Sequence, residues 1–128
     1  MGLDARVYLR GHGVDDDDCF DHTAIQRRLG NIAMAGYLWG RASKLLPANS
    51  VILEKVLYSG AHAGDELAVE LVASLKEELG VLADDADPDM RDFVRSMSEL
   101  ADAAVEQGNP ICFLRPLRVE PGHCVSAR

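Results

Sequence analysis

The chain has 128 residues, 48% hydrophobic and 27% charged, a balance that argues against disorder, fibrous repeats and two ordinary domains and predicts one domain over 1–128. Thirteen Lys and Arg against 21 Asp and Glu give a formal charge of -8, a field that repels phosphate backbones and anionic lipid heads, so nucleic acid and membrane are poor partners. A basic protein surface is attracted instead, and its encounter rate raised.

Taken in chain order, Ala5-Arg6-Val7-Tyr8-Leu9 alternates in the manner of a half-buried strand that Gly11 and Gly13 end. The run Asp15, Asp16, Asp17, Asp18 follows as a solvated loop. From Thr23 the apolar positions Ile25, Leu29, Ile32 and Ala33 recur at helical intervals, which predicts a first helix to about Ala35, with Asp21 or Thr23 as its cap. The segment 36–50 holds Tyr37, Leu38, Trp39, Leu45 and Leu46 and has no assigned structure.

Val51 to Tyr58 reads as a strand buried on much of both faces, and Ser59 to Gly64 as a tight loop of small residues. Asp65 and Glu66 then place negative charge at the start of a helix whose buried face is Leu67, Ala68, Leu71, Val72, Leu75 and Leu79, with Gly80 as its left-handed stop. Asp87-Pro88 caps and opens a third helix, buried through Phe93, Val94, Met97, Leu100, Ala101 and Ala104 and ended by Gly108. Asn109-Pro110 turns into a third strand, Ile111 to Leu114, whose companions are the first two. Residues 115–128 supply an edge strand near Leu117 to Val119 and a frayed tail. The expected fold is α+β, a small mixed sheet of three to four strands packed against about three helices.

No stretch approaches the length of a membrane span, and Met1 to Arg10 lacks the apolar run of a signal peptide. Cys19, Cys112 and Cys124 form no close pair, so a reducing, cytoplasmic location is expected.

Three constellations invite chemistry. Ser59, His62 and Asp65 are the residue types of a hydrolase triad, but Ser59 lacks the preceding glycine of a nucleophile elbow, and turn and capping roles explain Gly60, Gly64 and Asp65. The better use of Ser59, His62, Asp65 and Glu66, together with Asp15, Asp16, Asp17 and Asp18, is contact with a partner protein. His12, Cys19 and His22 do not complete a zinc set, the Asp run lacks the glycine and glutamate of a calcium loop, and no phosphate-cradling motif occurs, so neither metal nor cofactor is expected. Cys112 reads as an inert core thiol. Tyr37 and Trp39 read as core or as a homodimer interface with Leu38, or else as an exposed anchor.

Two longer stretches point further. Ile52 to Gly60, Gly64-Asp65 and Leu75-Lys76-Glu77-Glu78-Leu79 form one; Phe93 to Ala104, running into Gly108-Asn109-Pro110-Ile111-Cys112-Phe113, forms the other. Together they resemble the small acidic immunity proteins of bacterial polymorphic-toxin systems, which bind and neutralise a co-encoded toxin. The resemblance implies an α+β domain without catalytic residues and a cognate, basic toxin domain as partner. The rival expectations are a small hydrolase built on Ser59, His62 and Asp65, and a homodimeric scaffold.

Overall fold

The computed structural model describes residues 2–11, 22–57 and 66–114. Strand β1, Gly2–Tyr8, follows its period-two pattern: Ala5 and Val7 enter the apolar core, and Asp4 and Arg6 alternate onto the other face. On one side β1 pairs with β2, Thr23–Asn31, and on the other with β4, Ile111–Leu114. The two-residue β3, Glu66–Leu67, pairs with β4, so the order is β2-β1-β4-β3.

With helices α1 (Ile32–Ala42), α2 (Val72–Leu82) and α3 (Pro88–Gln107), this is an α+β fold of four strands. The sheet is antiparallel in every described pairing rather than mixed. A parallel pair needs a long crossover between strands, and the segment expected to supply a central strand, 51–58, is not a strand over its described residues 51–57.

That segment is the first of three corrections. Ile52–Val56 is a π-helical turn, closed by Leu57 N–H on the Ile52 carbonyl at 2.7 Å. Ile52, Leu53, Val56 and Leu57 are buried while Glu54 and Lys55 face water, a helical rather than a strand pattern. The turn is held by a distant helix: the Glu78 carboxylate of α2 accepts from Val51 N (2.9 Å) and Ile52 N (2.8 Å).

The second correction concerns residues 23–31, a strand and not a helix. Ile25 and Leu29 are four apart, a spacing that serves a helical stripe and a strand face equally. Arg27 decides between them, because its side chain shares their face of the strand and reaches α3. Helix α1 begins only at Ile32 and fills much of the previously unassigned stretch.

The third lies at α2, which starts at Val72 after a short 3-10 turn, Val69–Leu71, and ends at Leu82. Glu66 therefore belongs to a strand, and Gly80 sits inside the helix without positive φ. Strand β4 lies between β1 and β3.

Helix α3 matches expectation closely. Asp87 accepts from Met90 N at 3.0 Å, Pro88 occupies the first turn, and Gly108 closes the helix at φ 66°. Its buried stripe Met90, Phe93, Met97, Leu100, Ala101 and Ala104 packs on the sheet together with Leu75, Leu79 and Leu82 of α2. No helix among the described residues is long and apolar enough to cross a membrane.

Candidate functional site

Burial of one stripe of α3 leaves a second, polar stripe to be placed. Asp89, Asp92, Ser96, Glu99, Ala103 and Glu106 recur at alternating steps of three and four, so they share one side of the helix, with Asp102 beside them. Strand β2 runs along that side. Arg27 Nε donates to Glu99 Oε1 at 2.8 Å and fastens strand to helix.

A recess opens at each end of this seam. The larger, about 490 Å³, is lined by Leu9, Ile25 and Ala103 and by the acidic Glu99, Asp102 and Glu106. The smaller, about 240 Å³, is lined by apolar Leu29, Met34 and Phe93, with Arg28, Asp89 and Asp92 at its polar side. The combination is an apolar surface bordered by carboxylates, a form suited to cationic side chains with aliphatic stems.

The seam's own cations hold these carboxylates weakly. Lys76 Nζ lies 2.9 Å from Asp102 Oδ1 and Arg95 Nη1 lies 3.7 Å from Asp92 Oδ1, all on exposed side chains. Exposed pairs of this kind contribute about 0–1 kcal/mol each, so another cation could replace them at little cost. Asp89 and Glu106 have no ion pair among the described residues.

Of the sequence-predicted contacts, only Glu66 lies among the described residues. Ser59, His62 and Asp65, as well as Asp15, Asp16, Asp17 and Asp18, fall outside the described residues, as do His12, Cys19 and Cys124. Glu66 is exposed on β3, at the opposite edge of the sheet from β2, so the structure does not bring it to the seam. Its nearest notable neighbour is Cys112, whose thiol donates to Glu66 Oε2 at 3.7 Å. Burial and the Glu66 charge push that thiol's pKa up to about 12, which keeps it protonated and unreactive at neutral pH. His22 offers its backbone carbonyl to Leu9 N at 2.7 Å. Among the described residues no group of three or more His, Cys, Asp or Glu is placed to hold a metal.

Around Tyr37, Leu38 and Trp39 the structure separates what the sequence left together. Leu38 is buried, while Tyr37 and Trp39 are 46% and 43% exposed and thus not core. Tyr37 donates its hydroxyl to Asp87 Oδ1 at 2.6 Å, and Arg41 grips Asp85 through both Nε (2.9 Å) and Nη2 (2.6 Å). The Tyr37 bond and the Met90 amide hold the Asp87 carboxyl below its usual range, as Arg41 and the Asp87 N–H do for Asp85. This cluster ties α1 to the link between α2 and α3.

On the sheet face opposite the core, Arg6 is buried and its Nε donates to Gln26 Oε1 at 2.9 Å, while Gln26 Nε2 donates to Asp4 Oδ2 at 2.9 Å. The guanidinium also lies over the Tyr8 ring, 5.5 Å from its centre. A buried, bonded network of this kind orders the strands that carry the seam.

The acidic stripe was missed as a site although its 3-4 spacing stands in the sequence, because only pairing with β2 turns an ordinary solvated helix face into a groove. Compared with known proteins, the chain matches no family model, no curated protein and no solved structure.

Proposed function

We propose that the protein is a non-catalytic, immunity-type inhibitor that binds and neutralises a cognate bacterial toxin domain in the cytoplasm. The observation that carries this reading is the row of carboxylates on α3 beside an apolar-lined groove, set in a chain of net charge -8. Toxin domains that act on nucleic acid are basic, because they must neutralise phosphates. An acidic inhibitor meets such a surface quickly and covers it with like complementarity. The resemblance carried by Phe93 to Phe113, a helix that leads into a strand, points the same way.

The test is co-expression. The candidate toxin, the C-terminal domain of any large secreted protein found to be encoded next to this chain, is induced in a host that does or does not also produce the chain. Growth arrest relieved by the chain, with a stable complex of the two purified proteins, is the expected result. Arrest that persists, with no association even at low salt, overturns the reading.

A further inference from the structure

The seam has a second property that its charge does not explain. Strand β2 is the longest of the four, nine residues, and has β1 on one side only; among the described residues nothing pairs with its outer edge. An edge of that length presents a row of backbone donors and acceptors; register shifts at Ala24 and Leu29 interrupt it, and between them Ile25, Gln26, Arg27 and Arg28 pair with β1 in regular register. Here the edge residues Thr23, Ala24 and Ile25 border the larger recess directly, opposite Glu99, Asp102 and Glu106.

We propose that the partner element seated in the seam is a basic β-strand, which adds antiparallel or parallel to the outer edge of β2 and sets its Lys or Arg side chains against Asp102 and Glu106. The inference rests on the partner-binding reading above and names the element that binds. An added strand presents every second side chain to the face where Ile25, Arg27 and Leu29 already point towards the helices. Two like-facing positions of a strand lie about 6.8 Å apart, and Asp102 and Glu106, four residues apart on α3, lie about 6 Å apart along the helix axis, so one pair of cations meets that one pair of carboxylates. Arg27 does not oppose them, because Glu99 pairs with it, and Arg28 lines the smaller recess with Asp89 and Asp92 at the other end of the seam. A second copy of this chain is a poor occupant, since it brings acid to acid with -8 on each molecule.

The probe is a short synthetic peptide alternating Lys with Val, titrated into the full chain and followed by amide NMR and hydrogen exchange. Three controls accompany it: the same peptide N-methylated at every second residue, an alternating Glu and Val peptide, and the chain carrying Glu106→Lys or Asp102→Lys, which leaves the Arg27–Glu99 bridge intact. The basic peptide is expected to shift amides of residues 23–31 and slow their exchange. Its affinity should fall about tenfold in the charge-reversed chain, and binding should vanish on N-methylation, which removes strand hydrogen bonds and keeps the charge. Equal binding of the methylated peptide, shifts centred away from β2, or no binding of the basic peptide at all overturns strand addition. Relief of toxin arrest despite any of these outcomes leaves the inhibitor reading standing alone. A peptide that adds to β2 in a chain that relieves no toxin does the reverse.

Discussion

At the residue scale, Gly108 is the position where backbone conformation leaves least choice. Its φ of 66° closes α3 in the left-handed region, and a Cβ there would stand 3.1 Å from Arg10 Nη1, a flexible side-chain end able to move aside. The strain is therefore in the backbone. Gly108→Ala should lower stability by about 1 kcal/mol in a urea titration, with an unchanged slope. A neutral result would mean that the helix terminus relaxes to another cap. Arg6 illustrates the opposite case, a charged side chain almost wholly buried yet supported on two sides by Gln26 and Tyr8.

At the scale of elements, the link between α2 and α3 is where helix capping and tertiary structure coincide. Asp87 caps α3 through Met90 N and receives the Tyr37 hydroxyl, and Asp85 holds Arg41 and the Asp87 N–H. Both carboxyls have folded pKa values below their usual range of roughly 4, so their contribution is fully present above that pH and is lost as pH falls through the folded values. Acid should thus loosen the hold of α1 on this link. Denaturant midpoints measured from neutral to acidic pH should fall more steeply for the unaltered chain than for one with Asp85→Asn and Asp87→Asn, and parallel curves would show that other carboxylates dominate.

The same elements show what the sequence could reveal. Helix α3 was legible from end to end because its cap, its first-turn proline, its buried stripe and its terminal glycine are all local signals. Strand β2 was not, since Ile25 and Leu29 satisfy two periods at once and only the reach of Arg27 to Glu99 chooses between them. The turn Ile52–Val56 was misread for another reason: its amides are capped by Glu78, more than twenty residues away, and β-branched composition outweighed a helical burial pattern. The groove, needing β2 and α3 side by side, was accordingly out of reach, whereas the carboxylates that line it were legible as the polar face of a helix.

At the scale of the whole molecule, the proposed binding of a basic partner draws on net charge and on local geometry separately. The -8 field acts at a distance and sets the rate of encounter, whereas the seam acts on contact and sets how long the complex lasts. Raising NaCl from ~50 to ~500 mM shortens the screening length to a few ångströms. Association of the chain with its basic partner should then slow by about tenfold or more, while dissociation changes much less. Stopped-flow mixing at several salt concentrations measures both, and an association rate indifferent to salt would remove the electrostatic part of the account.

The order β2-β1-β4-β3 seats β4 in the middle of the sheet, with Arg6 beside Cys112 across more than a hundred residues of chain. A ribosome adding roughly 5–20 residues per second takes roughly 5–20 s to cover that separation. For all of that interval the nascent β1 has one flank unpaired and β3 has no neighbour, so the sheet closes only as the last described strand emerges. The groove between β2 and α3 thus forms late in the order of synthesis, and under the proposed reading a partner could be bound only after α3 has been made.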